Sequence, residues 1–168
     1  MTRKITAVDV ATYPRPGTAI PNKPAFSPDD AWITYLHSAQ GTLRQQLYAY
    51  EVATGECHTV IDPTEDAPTS SPLSLEERLR RERTRTRAVG ITAYAWARRA
   101  SKLLIPLGGA VYVKDGIDAP SRKIVGSEAG PALDPQISPC GRQVAFVRDA
   151  EIFVVSTEGG EPRQLTFG

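Results

Sequence analysis

An all-β fold built from one repeated strand unit is what the sequence predicts, and three observations predict it. The first is a turn with a mechanism. Ser138-Pro139-Cys140-Gly141 places Pro where φ is preset and Gly where φ turns positive, and the runs after it are rich in Val, Ile and Phe. The second is recurrence. The unit from Pro135 to Thr166 has a counterpart at Phe26-Ser27-Pro28-Asp29 to Val52, and a degenerate one at Trp96-Ala97-Arg98-Arg99 to Lys114. The third is spacing. Ser27, Ala97 and Ser138 lie 70 and then 41 residues apart, and the aromatic of the second strand follows by 21 (Tyr48), 15 (Tyr112) and 15 (Phe153). A repeat of about 40–45 residues holding several short strands is the signature of a β-propeller blade. An ordinary β-meander is the simpler alternative, but turn, aromatic and spacing agree together. The expected fold is a partial, open propeller of about two to three blades with one inserted arginine-rich helix.

Taken in order, residues 1–25 form a lead-in segment, with a strand near Ile5–Val10 and then a loop rich in Thr and Pro. The first repeat runs over 26–61, its late strand Cys57-His58-Thr59-Val60-Ile61 alternating only weakly. Residues 63–90 interrupt the pattern and account for the long first interval. There the period changes: Ser74-Leu75-Glu76-Glu77 is a capping box, and Leu75 and Leu79 share a face. A helix is predicted from about Leu75 to Arg83–Arg85, carrying Arg78, Arg80, Arg81, Arg83 and Arg85. Ile91 to Trp96 alternates like a strand and opens the second repeat, 91–131. The third occupies 132–168. Propellers close with at least four blades or so. Three units therefore suggest the front part of a longer protein, and their uncovered edges and faces predict self-association.

Composition excludes little. The net charge of +1 over 168 residues points to no partner class. Cys57 and Cys140 form no CxxC pair, which favours reduced thiols and a cytoplasmic setting. The N-terminus has basic residues without an apolar stretch, so neither a signal peptide nor a membrane partner is expected. No G-x-S-x-G elbow or Walker loop occurs. His37 and His58 stand beside no nucleophile, and Asp62, Glu65 and Asp66 read as a solvated loop, so no metal or other cofactor is expected. Neither cysteine has a sequence context that lowers its pKa. The arginine helix is the one functional candidate. It reads as a solvated helix, as a phosphate binder, or as a donor set for an anion or carbonyl. No interleaved aromatics accompany it, so nucleic acid is not expected as a partner.

Several stretches together resemble the dipeptidyl peptidase IV family of prolyl-oligopeptidase-like serine peptidases. They are Leu73 to Arg87 with Gly90-Ile91-Thr92-Ala93-Tyr94-Ala95-Trp96, then Asp134 to Pro139, Val144 to Arg148, and Arg163-Gln164-Leu165-Thr166-Phe167. The resemblance covers the chain from about Phe26 onward. It implies an N-terminal propeller over a missing C-terminal α/β-hydrolase domain that carries the Ser-Asp-His triad. It also implies a peptide substrate and is compatible with a homodimer of the parent. No catalytic residue is assigned to this chain. The resemblance implies one substrate-binding residue, Arg85, the last arginine of Arg81-Glu82-Arg83-Thr84-Arg85, five residues before Gly90. Its implied role is to hydrogen-bond the carbonyl between the first two substrate residues; the rival role is an ion pair on the helix surface. The middle repeat departs from the family turn at Ala97-Arg98-Arg99-Ala100, and Cys140 stands where an Asp is usual. Three readings follow: opening blades of such a peptidase, a non-catalytic TolB-like binding propeller, or a helix-displaying nucleic-acid binder.

Overall fold

A computed structural model of the chain describes residues 4–11, 20–38, 44–61 and 89–168. The chain is all-β, with three antiparallel four-stranded sheets in sequence order, the arrangement of a partial, open propeller. Sheet 1 holds β1 (Asn22–Phe26), β2 (Trp32–His37), β3 (Arg44–Glu51) and β4 (Cys57–Ile61). A two-residue strand β5 (Val89–Gly90) adds to β3 in parallel, at Arg44 and Gln45. Sheet 2 holds β6 (Ala95–Trp96), β7 (Lys102–Leu107), β8 (Ala110–Asp115) and β9 (Arg122–Val125). Sheet 3 holds β10 (Leu133–Ile137), β11 (Gln143–Arg148), β12 (Glu151–Ser156) and β13 (Arg163–Gln164).

The lead-in strand expected near Ile5–Val10 is instead a short helix, α1 (Ala7–Ala11). Its apolar residues Val8 and Val10 are exposed, and no described strand lies beside it to pair with. A helical turn satisfies its backbone locally, as in the bond from Val10 N to Thr6 O. Sheet 1 also begins earlier than the sequence suggests. β1 falls in the stretch read as a loop, because Pro24 and a register break hide its alternation. Of the strand read at Ile91 to Trp96, only Ala95 and Trp96 join sheet 2; Ile91 is fully buried and donates its N–H to Gln45 O. The inserted arginine helix lies outside the described residues.

The first turn of each sheet shows what the landmark serine does. Ser27 Oγ accepts from Trp32 N at 3.0 Å and donates to the Asp29 carboxylate at 2.5 Å. Ser138 Oγ accepts from Arg142 N and Gln143 N at 3.1 and 3.0 Å. Ala97 keeps the backbone bond to Lys102 O at 2.8 Å but has no hydroxyl to add. Gly141 holds φ at 71°, and a Cβ there would crowd the Ala100 side chain at 3.0 Å, so this turn of sheet 3 packs directly on sheet 2.

Register gives every sheet two distinct faces. Eight residues past each landmark, Tyr35, Ile105 and Phe146 sit opposite Tyr48, Tyr112 and Phe153. In sheets 2 and 3 this face turns toward the preceding sheet. Ile105 and Tyr112 share a core cluster with Leu36, Leu47 and Ala49, from the opposite face of sheet 1. Phe146, Phe153 and Val155 share the second cluster with Leu104, Val111 and Val113, from the opposite face of sheet 2. The aromatic that marks the repeat in sequence is therefore the knob each sheet sets against the one before it.

Polar links cross the same seams. Trp96 Nε1 donates to Thr34 Oγ1 at 2.9 Å, and Tyr94 Oη donates to Thr34 O at 2.7 Å. Lys114 Nζ donates to Val60 O at 2.7 Å in a buried setting. Within sheet 2, Asp115 lies 2.7 Å from Lys102 Nζ and 3.0 Å from Arg122, and this cluster reaches sheet 3 through Lys102 Nζ to Glu158 at 2.8 Å and Arg122 Nη2 to Thr157 O at 3.0 Å. The Lys102 hydrogen bonds hold both carboxylates below their ordinary range. A carboxylate depressed by folding stabilises above its unfolded pKa. This link is complete at neutral pH and is lost as pH falls through the acid range.

Candidate functional site

Each sheet is an up-and-down meander, so the molecule has two unlike ends. One end carries the tight first turns and the links between third and fourth strands. The other carries the hairpins after β2, β7 and β11, the links between sheets, and the start of every first strand. The hairpin end is where the chain departs from regularity.

Two features converge there. First, β1 and β10 break register at equivalent places, between Asn22 and Ala25 and between Leu133 and Gln136. Lys23 (φ 52°) and Asp134 (φ 46°) each stand four residues before a landmark serine, and each precedes a proline. Proline discourages the right-handed helical region in the residue before it, and a bulge re-aims the strand. Second, the longest connections leave from this end. β4 ends at Ile61 opposite Leu47, and the chain is described again at Val89 opposite Arg44, on the same strand β3. The link between sheets 2 and 3 folds onto neighbouring elements, with Ala132 N donating to Gly109 O and Arg148 Nη2 to Gly126 O.

Arg85 lies outside the described residues, as do Asp62, Glu65 and Asp66. The chain four residues beyond Arg85 is anchored at the hairpin end, through Val89 and Gly90. His37 closes β2 at this end, on the face of sheet 1 turned away from sheet 2, with its ring 6.1 Å from that of Tyr48. His58 lies on the opposite face, edge-on to Trp32. Among the described residues, no three His, Cys, Asp or Glu side chains converge as a metal site would require. No helix there is long and apolar enough to cross a membrane.

The turn end overturns the expectation that neither cysteine sits where its pKa is lowered. Cys140 takes the place in its turn that Asp29 takes in sheet 1, two residues after the landmark serine. Its Sγ lies 3.5 Å from Ser138 Oγ. Hydrogen bonds from Ser138 and then Arg142 push the thiol down to about 6. The Cys140 sulfur thus occupies the position of the aspartate, whose own carboxyl the Ser27 hydroxyl holds low. The signal was the Asp-equivalent position itself, which the sequence showed without its consequence for the thiol. Arg142, Gln143 and Ser156 line an open depression of about 310 Å³ beside it. In a Cys57→Ser background, alkylation of Cys140 by iodoacetamide should rise with pH about a midpoint near 6. Arg142→Ala should move that midpoint upward. A midpoint in the ordinary thiol range, unmoved by Arg142→Ala, would refute the assignment.

No family model matches the chain. Solved structures do resemble it. A TolB-like protein of Agrobacterium tumefaciens superposes with a TM-score of 0.55 at 14% identity, over 88% of this chain and 50% of that one. A chain of a nidogen/laminin complex gives 0.51 at 10% identity, over 88% and 48%. TolB from Acinetobacter baumannii gives 0.49 at 14% identity, over 82% and 30%. The sheets are β-propeller blades. At these identities the likeness establishes the fold alone, and the three blades span half or less of the length of each of these three chains.

Proposed function

We propose that the chain is a non-catalytic β-propeller binding module whose hairpin end receives a polypeptide partner. The observation that carries this reading is the concentration of bulged strand starts and long connections at one end of otherwise regular blades. Irregular segments held on a rigid scaffold are where binding residues collect. The fold likeness to TolB-like propellers supports it, and one neighbour in fold comes from a complex of two proteins. The described serines at the blade turns support it too, since their hydroxyls hold the turns together.

The test is a displayed peptide library selected on the purified chain, with hits measured by isothermal titration. Saturable binding is expected, weakened when residues 62–88 are replaced by a short Gly-Ser linker and unchanged by Arg142→Ala at the turn end. Release of a chromophore from an Xaa-Pro substrate, blocked by a serine-directed reagent, would overturn the reading.

One observation favours a second reading, the opening blades of a dipeptidyl peptidase IV-like serine exopeptidase. The Arg81-Glu82-Arg83-Thr84-Arg85 run is followed, after four intervening residues, by Gly90-Ile91-Thr92, and Gly90 pairs with β3 at the hairpin end. Arg85 would then bind the substrate carbonyl, with planar paired donors that stay charged. In a parent enzyme with a downstream hydrolase domain, Arg85→Ala should lower kcat/KM by about tenfold to a hundredfold, the loss of one charge-assisted hydrogen bond. Arg78→Ala should do little. Equal, small effects would remove Arg85 from the substrate site.

A further inference from the structure

We propose that Arg148 anchors a carboxylate at the hairpin end, carried by an acidic side chain or by the chain end of the polypeptide received there. The inference rests on the peptide-binding reading above for what carries the carboxylate, and on the seam between blades 2 and 3 for where it binds. Arg148 is the last residue of β11, just before the hairpin turn, and is 8% exposed. Register puts it on the same face as Phe146 and Phe153. Its guanidinium carbon lies 5.1 Å from the ring centroid of Phe146 and 6.0 Å from that of Phe153. The link between blades 2 and 3 packs on it as well. Nη2 donates to Gly126 O at 3.2 Å, and at Gly130, where φ is 97°, a Cβ would stand 3.8 Å from Arg148 Cγ and Cδ.

So held, the guanidinium is short of partners. Nε is buried and has none. Nη1 has none among the described residues either, yet it is not shut away as Nε is, so it reaches the surface. Two carboxylates nearby are engaged elsewhere. Glu151, opposite Arg148 across the hairpin, accepts from Gly168 N at 2.7 Å and from Thr166 Oγ1. Glu128 feels the Arg148 charge, but its carboxylate lies 3.2 Å from Lys123 Nζ. A cation stripped of most of its water and given one carbonyl is poorly compensated. A carboxylate laid along the open Nη1–Nη2 edge supplies paired, charge-assisted bonds. The rings and the link already fix the guanidinium, so it has little freedom left to lose on binding. One cation with an acidic neighbour suits a monoanion better than a phosphate dianion.

A nuclear magnetic resonance titration of the isotope-labelled chain tests this at constant ionic strength. The probes are acetyl-Gly-Glu-Gly-amide, its Gln counterpart, and acetyl-Gly-Gly with a free carboxyl end. Saturable shifts of the Gly126 and Gly130 amide signals are expected with a carboxylate probe and absent with the Gln probe. The Glu probe acting alone assigns the side chain as the source, and the free end acting alone assigns the terminus. Arg148→Lys keeps the charge but replaces the planar fork with one ammonium, and should weaken binding by about fivefold or more. If that variant does not fold, the Glu and Gln arms on the wild type still decide. No shift with either carboxylate, or equal shifts with Gln, overturns the proposal. Library-selected peptides that bind wild type and Arg148→Lys equally well overturn it too and leave peptide recognition standing, whereas a failure to select any peptide counts against that reading and not against the site.

Discussion

Phe146→Ala should lower the melting temperature by about 10 °C or more, with no compensating gain elsewhere. Phe146 is 1% exposed, stacks on Phe153 with centroids 5.6 Å apart, and lies under the Arg148 guanidinium at 5.1 Å. Truncating a buried Phe typically costs about 3–5 kcal/mol, through lost transfer energy and the cavity left behind. In a chain of this length each kcal/mol moves the midpoint by about 2–4 °C. The cavity would open in the seam between blades 2 and 3, and Arg148 would lose the nearer of the two rings beneath it. Thermal melts followed by near-ultraviolet circular dichroism check this. A shift of about 2 °C would mean that the seam is loosely packed and that Phe146 is not its anchor.

Thr34→Val should destabilise the chain by about 2 kcal/mol, although it preserves shape and burial. Thr34 is fully buried, and its hydroxyl has two partners: it donates to Ala25 O at 3.1 Å and accepts from Trp96 Nε1 at 2.9 Å. The first bond lies within blade 1 and the second crosses to blade 2. Valine leaves a buried indole N–H and a carbonyl without this partner, and an unsatisfied buried group costs about 1–3 kcal/mol. A double-mutant cycle with Trp96→Phe isolates the cross-blade share. Coupling of about 1 kcal/mol is expected, and additive effects would mean that the hydroxyl matters only within blade 1.

How far the sequence could be read follows from which signals are local. The Ser-Pro turns, the alternating runs at Val144 to Arg148 and Glu151 to Ser156, and the aromatic spacing all act over a few residues, and each lands where the local chemistry points. The start of blade 1 was hidden for an equally local reason. Lys23 and Pro24 look like a breaker, yet they build a bulge whose partner strand lies a turn away. The lead-in helix shows the converse, since Ile5, Val8 and Val10 alternate loosely but have no described neighbour to pair with. At the turn end, the sequence shows Cys140 where an Asp is usual, but the lowering of its thiol depends on the Ser138 and Arg142 contacts that only the folded turn brings together. The arginine run is the reverse case: plain in the sequence, and placed outside the described residues, so its reading rests on its motif and on the anchor that follows it.

That anchor has a thermodynamic consequence. The stretch between Ile61 and Val89 begins and ends on β3, at residues paired with Leu47 and Arg44. The closing contact is a tight one. Gly90 has φ of 80°, and a Cβ there would meet Gln45 O at 2.4 Å, so no other residue fits without moving the strand. Blade 1 thus supplies both jaws of a clasp, holding the two ends of the stretch three residues apart on one strand. Doubling the length of chain between two fixed ends changes the closure entropy by only about 0.6 kcal/mol. The clasp by itself therefore sets little limit on the length it closes, whereas Gly90 cannot be replaced without moving β3.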